Sequence, residues 1–178
     1  LVILAHDWSG QNEFIKKKAE YIASLGYLGF ALDMYGEGQL GKTNDEKLAL
    51  MSPLVNDRQH LQHVVGAAFT AAINLPHVDH DRIAAIGFCF GGLCALDLAR
   101  SNHKICAVAS FHGLLNKPTI TNYQLAAKVI AFHGFLDPMV TMNDLSSFYE
   151  EMNAAKIDWQ VHIYGTALHA FTNPLAND

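Results

Sequence analysis

Short apolar runs alternate along the chain with longer stretches of helical periodicity. The runs at residues 1–6, 27–33, 83–87, 105–111, 128–133 and 159–164 are rich in Val, Ile, Phe and Ala and lack strict polar alternation. That pattern predicts strands buried on both faces, as in a parallel sheet covered by helices. Residues 13–25 set Phe14, Ala19, Ile22 and Ala23 on one side and Lys16, Lys17 and Lys18 on the other, which predicts an amphipathic surface helix stopped by Gly26. Further helices are predicted over residues 56–75, opened by Asn56 or Asp57 and stopped by Pro76, and over residues 93–100 and 143–154. Residues 35–55 hold Gly36, Gly38, Gly41 and Pro53 and read as a long loop or a small lid-like excursion. The expected fold class is α/β, a mostly parallel sheet with helices on both faces.

Composition narrows this to one folded unit. The 178 residues fall within the roughly 100–200 of a typical domain, so residues 1–178 are expected to form a single domain. With 51% hydrophobic and 16% charged residues the chain is globular rather than disordered. Its net charge is −5, and Arg58, Arg82 and Arg100 are its only arginines, which argues against a nucleic-acid partner. Three cysteines, an odd number, give no disulfide framework and point to a reducing, cytoplasmic setting. No apolar run approaches the roughly 20 residues of a membrane span, and Leu1-Val2-Ile3-Leu4-Ala5 lacks the basic flank of an export signal. A membrane partner is therefore not expected. Because the chain opens without Met inside a strand-like run, it is expected to be a piece of a longer protein.

The chemistry-bearing signal is Gly87-Phe88-Cys89-Phe90-Gly91-Gly92, set between a predicted strand and a predicted helix. A G-x-C-x-G turn of this kind holds a nucleophile at the apex of a strained strand-to-helix reversal, and the flanking residues must be small for the chain to fold back. The helix N-terminus below favours negative charge, which eases ionisation of a thiol. Cys94 and Cys106, in a predicted helix and a predicted strand, read as packing residues. A nucleophile needs a base, and the base an orienting carboxylate. Asp137 lies in the loop after the strand at 128–133, and His169 in the loop after the strand at 159–164. In a parallel sheet the strand C-termini share one rim, so the three residues can converge there. The order nucleophile, acid, base is that of α/β hydrolases. His112 and His133 also sit in Phe-His-Gly turns, but neither follows Asp137; His112 is expected to line the pocket. The pairs His60 with His63 and His77 with His80 lack a third ligand and read as solvated polar residues, so no metal is expected.

These residues resemble the dienelactone hydrolases, α/β hydrolases with Cys in place of Ser at the elbow. The resemblance spans almost the whole chain and rests on His6-Asp7-Trp8-Ser9-Gly10-Gln11-Asn12, on Leu32-Asp33-Met34-Tyr35-Gly36, on the Cys elbow and on the Asp137 and His169 loops. It implies that the backbone N–H groups of Trp8 and Phe90 form an oxyanion hole. Asp7 stands where the family usually carries Glu near the resting thiol, and Asn173 stands where the dienelactone-processing member has an arginine for the substrate carboxylate. The family fold usually has leading strands and a closing helix as well.

The expected function is cleavage of small esters or lactones through a Cys89-His169-Asp137 triad and a thioester, with no cofactor. Asp7, Tyr35, Phe135 and His112 are candidates for the substrate pocket, where aromatic side chains would suit small apolar acyl groups. Two alternatives stand beside it. One is a non-catalytic binding module on the same fold. The other is a glutamine-amidotransferase-like Cys enzyme, although such sites usually set a His directly after the Cys, where Phe90 stands here.

Overall fold

The computed structural model describes residues 1–101, 103–120 and 124–176. Six strands form one sheet: β1 (Val2–Ala5), β2 (Gly29–Ala31), β3 (Ala84–Phe88), β4 (Ala107–Phe111), β5 (Lys128–Gly134) and β6 (Trp159–Tyr164). All five pairings are parallel, in the order β2-β1-β3-β4-β5-β6. Each apolar run of the sequence thus supplies one strand: β1, β2 and β4 are shorter than their runs, β3 is shifted by one residue, β5 extends one residue further and β6 matches its run. Among the described residues there are also five helices: α1 (Glu13–Ser24), α2 (Asn44–Asn56), α3 (Arg58–Ile73), α4 (Phe90–Arg100) and α5 (Met142–Ala155). Among the described residues no helix is long and apolar enough to cross a membrane.

Strand register assigns the side chains to two faces. Val2, Leu4 and Phe88 meet Phe14, Ile15 and Ile22 of α1 on one face. Ile3, Ala5, Ala85, Val108, Val129 and Ala131 point the other way, into a larger core built with α2, α3, α4 and α5. α1 opens where the Asn12 side chain accepts the Ile15 N–H at 3.3 Å, and Gly26 follows it at φ +89°, a value glycine adopts without strain. α3 is capped by Asp57, whose carboxylate accepts the His60 N–H at 2.9 Å.

Two expectations need correction. Residues 44–56 are helix rather than loop. Thr43 and Glu46 form a reciprocal capping box, with Thr43 Oγ1 accepting the Glu46 N–H and Glu46 accepting the Thr43 N–H. The box outweighs the glycines before it, and Pro53 sits in the final turns, where its missing N–H leaves most of the hydrogen-bond ladder intact. Cys106 is exposed rather than packed, because β4 begins one residue later; its thiol lies 3.0 Å from the Asp81 carbonyl.

Buried charge ties the helices together. Arg58 of α3 and Arg100 of α4 both bind Asp97, at 2.5 and 3.1 Å, and Arg100 also binds Glu151 of α5 at 2.6 Å. The four side chains balance in sign, which is the condition for burying them at all.

Candidate active site

The order β2-β1-β3 means that the chain leaves β1 towards one sheet edge and later returns to the other side of β1. The loops after β1 and β3 therefore diverge, opening a crevice at the strand C-termini. Trp8 follows β1 and Cys89 follows β3 into that crevice. Cys89 has φ 55° and ψ −119°, a backbone conformation that costs a non-glycine residue about 1–3 kcal/mol. The neighbours enforce it. A Cβ on Gly87 would lie 1.8 Å from the Gly91 carbonyl oxygen, and one on Gly91 would lie 2.2 Å from the Ala5 carbonyl oxygen. Only glycine allows the strand, the turn and the end of β1 to pack this closely.

The Cys89 N–H is held by the Phe111 carbonyl at 3.0 Å, and the Cys89 side chain does not cap α4. The first N–H of that helix, on Phe90, and the N–H of Trp8 have no protein acceptor among the described residues. His169, on the loop after β6, directs Nδ1 to Asp137 Oδ2 at 2.8 Å. Asp137 in turn accepts the Met139 N–H at 2.8 Å through its other oxygen. Burial works against the charged imidazole, but the Asp137 hydrogen bond and the Cys89 thiol raise the His169 pKa to about 10. Its Nε2 is buried without a hydrogen-bond partner among the described residues, and Cys89 is near enough to contribute to the raised pKa. Burial likewise opposes ionised Asp137, yet the His169 and Met139 hydrogen bonds hold its pKa below the ordinary value.

Cys89, His169, Asp7, Trp8 and His112 all line one cavity of about 770 Å³. His112 meets the edge of His169 with ring centroids 5.3 Å apart, and its Nε2 pairs with Thr172 Oγ1 at 2.7 Å. Burial and the neighbouring His169 drive the His112 pKa down to about 4, so it stands neutral beside His169. Asp7 does not extend freely towards the sulfur: Oδ1 accepts the Ser9 N–H at 2.7 Å. Asn173 lines the wall but spends its side-chain oxygen on the Leu175 N–H at 3.0 Å.

Tyr35 and Phe135 are not brought to this cavity. The Tyr35 ring stands behind the Trp8 loop, where its hydroxyl donates to the Trp8 carbonyl at 3.0 Å, and it borders a separate space between α2 and α3. Phe135 is 55% exposed, because the Phe135 and Leu136 N–H groups pair with the Tyr164 and Ala167 carbonyls and turn its side chain outward. Lys42 and Lys47 are the cations the sequence offers near this rim; Lys47 lines the cavity and Lys42 does not, and sequence reasoning missed that Lys47 and Met51 reach the wall from a helix, α2. Among the described residues Lys47 is the only lysine or arginine lining the cavity, and it stands 5.3 Å over the Trp8 ring. The Thr43-x-x-Glu46 spacing ahead of an apolar stretch was the signal for this helix. Among the described residues no cluster of three or more His, Cys, Asp or Glu side chains could hold a metal ion.

Comparison with known proteins agrees with this architecture. A dienelactone hydrolase-like promiscuous phosphotriesterase from metagenomic libraries superposes with a TM-score of 0.94 at 34% identity, over 99% of this chain and 74% of its own. A probable 2-oxo-3-(5-oxofuran-2-ylidene)propanoate lactonase of Bradyrhizobium is 30% identical over 173 residues, 91% of this chain and 69% of its own. An uncharacterized protein of Caenorhabditis elegans is 39% identical over 111 residues, 61% of this chain and 70% of its own. The model of the dienelactone hydrolase family matches residues 1–178. With the parallel sheet, the cysteine elbow and this match over its full length, the chain belongs to the dienelactone hydrolase family, a family of ester and lactone hydrolases.

Proposed function

We propose that the chain hydrolyses small esters or lactones through a thioester on Cys89. The observation that carries the reading is the ordered pair Asp137–His169, with Nε2 of His169 left for the thiol at the apex of the strained turn. His169 Nε2 takes the proton of Cys89 Sγ, and the protonated ring stabilises negative charge on the sulfur. Sulfur attacks the carbonyl carbon, and the oxyanion of the tetrahedral intermediate accepts the N–H groups of Trp8 and Phe90. One such donor is worth roughly 3–4 kcal/mol in a comparable site. The intermediate collapses with loss of the alkoxide, which receives the proton from His169 and leaves a thioester. Water then attacks that carbonyl as His169 removes its proton. The second intermediate expels the Cys89 thiolate and releases the carboxylic acid. A thiolate expels an alkoxide more readily than an amine, which favours esters and lactones over peptides.

The wall chemistry bears on the substrate. Phe14, Phe88, Met51, Leu114 and Leu168 give the cavity an apolar lining, and Lys47 adds one flexible point charge in place of a bidentate arginine. Neutral short-chain esters and lactones are therefore the proposed substrates. A panel of p-nitrophenyl esters and lactones, with dienelactone as the carboxylate-bearing member, tests this at fixed ionic strength. Higher kcat/KM for the neutral compounds supports the reading. A strong preference for dienelactone that disappears in Lys47→Ala would overturn it.

A further inference from the structure

Hydrogen bonds and a ring cluster meet behind the Asp7–Trp8 peptide, whose N–H the proposed mechanism aims at the oxyanion. His6, directly after β1, is fully buried. Its Nε2 accepts the Met34 N–H at 3.1 Å, which leaves Nδ1 as the protonated nitrogen of the neutral ring. That Nδ1–H donates to the Asp7 carbonyl at 2.5 Å. The Asp7 carbonyl and the Trp8 N–H belong to the same rigid peptide plane. Burial keeps the His6 pKa below the ordinary 6.5 despite nearby Asp7 and Asp33, so the ring stays neutral near pH 7 and keeps this tautomer. One peptide further on, the Tyr35 hydroxyl holds the Trp8 carbonyl at 3.0 Å. The His6 ring packs against Tyr35 and Phe90 with centroid separations of 4.9 and 6.3 Å, and Tyr35 stacks on Phe90 at 6.0 Å. The side chains that grip the Trp8 backbone thus also touch the residue carrying the second N–H.

We propose that His6 is a positioning residue for acyl transfer, locking the Asp7–Trp8 peptide through its Nδ1–H so that the Trp8 N–H points at the developing oxyanion. The inference rests on the proposed role of Trp8. In a trans peptide the carbonyl and the N–H point in opposite directions, so a donor fixed on the oxygen sets the direction of the N–H. The relay from Met34 N–H through the imidazole to the Asp7 carbonyl also polarises that N–H, because hydrogen bonds in a chain strengthen one another. A histidine that merely fills its niche would affect stability and leave the chemical step alone.

Two substitutions divide the two bonds of the ring between them. His6→Asn places an amide near the Nδ1 position, keeping a donor for the Asp7 carbonyl while giving up the Met34 N–H. His6→Gln reaches the Met34 N–H and gives up the donor. Two rates are read on each variant: kcat for p-nitrophenyl acetate, which passes through an oxyanion, and alkylation of Cys89 by iodoacetamide, which attacks a tetrahedral carbon and forms none. His6→Gln is expected to lower kcat by about 100-fold, with KM and the alkylation rate within about threefold, as for loss of an oxyanion donor. His6→Asn is expected to stay within about tenfold of the unsubstituted protein in kcat. Equal kcat in the two variants, or alkylation falling in step with kcat, overturns the proposal. Should His6→Gln not fold, His6→Asn decides alone: a fall of about 100-fold in kcat with alkylation intact contradicts the proposed role. If alkylation leaves the unsubstituted protein active, it is the Cys89 nucleophile that fails, and the two failures are thereby told apart.

Discussion

Cys89 occupies its strained conformation because Gly87 and Gly91 leave no room for any other path, and the strain holds its thiol out at the crevice. Gly87→Ala is expected to destabilise the protein by about 3 kcal/mol or more, or to prevent folding, since its Cβ would overlap the Gly91 carbonyl. Thermal melting checks this, and a Tm shift of less than about 2 °C contradicts it. For the proposed triad, Asp137→Asn and His169→Ala are each expected to lower kcat by several orders of magnitude. The double variant is expected to be little worse than the weaker single one, because the groups act as a unit. Steady-state kinetics of the three proteins measures the coupling, and additive losses would show independent roles. The sequence pointed to Cys89, Asp137 and His169 as candidates because each follows a strand end in a recognised order. It could not disclose His6, whose part depends on which nitrogen meets a backbone carbonyl and which meets a backbone N–H.

Among the elements, α2 matters most to the cavity, since it brings Lys47 and Met51 to the wall. Thr43→Ala removes the capping box and is expected to cost about 1 kcal/mol. Because α2 lines the cavity and carries none of the triad, the change is expected to raise KM more than it lowers kcat, which ester kinetics will show. Glycines and Pro53 hid this helix in the sequence, while the unbroken periodicity of residues 13–25 made α1 readable. The buried cluster joining α3, α4 and α5 was equally hidden, because its charges are far apart in the chain and look like surface residues. Glu151→Ala leaves Arg100 buried with one carboxylate fewer and is expected to cost about 3–5 kcal/mol. Exchanging Asp81 for Asn, which breaks only an exposed pair with Lys104, is expected to leave Tm unchanged. Comparable losses from the two substitutions would contradict the weight given to burial.

At the scale of the whole molecule the parallel order of strands gathers three distant loops onto one rim, and the same burial that builds the rim sets how stability follows pH. His112, with its pKa near 4, refuses a proton that the unfolded chain accepts below 6.5. Stability therefore falls as pH drops from 6.5 to 4, and the lowered values of His6 and His133 act in the same direction. His169 acts oppositely: its contribution is full below 6.5 and is lost as pH rises through about 10. The histidines thus place maximum stability near pH 6.5, and melts at constant ionic strength are expected to show Tm falling on both sides. A Tm that climbs steadily from pH 6.5 to 9 would contradict the His169 assignment. The inner strands and their rim were legible because buried parallel strands leave uninterrupted apolar runs, whereas the edge strand β6 is largely exposed rather than buried on both faces. These protonation states were not legible, because they depend on packing between residues far apart in sequence. The central claim, a thioester on Cys89, is tested most directly by rapid acid quench of the reaction with p-nitrophenyl acetate, followed by peptide mapping. An acetyl group on the Cys89 peptide that disappears on longer incubation, and is missing in Cys89→Ala, is the predicted result. Undiminished turnover in Cys89→Ala, or acetylation confined to another residue such as the exposed Cys106, would contradict it.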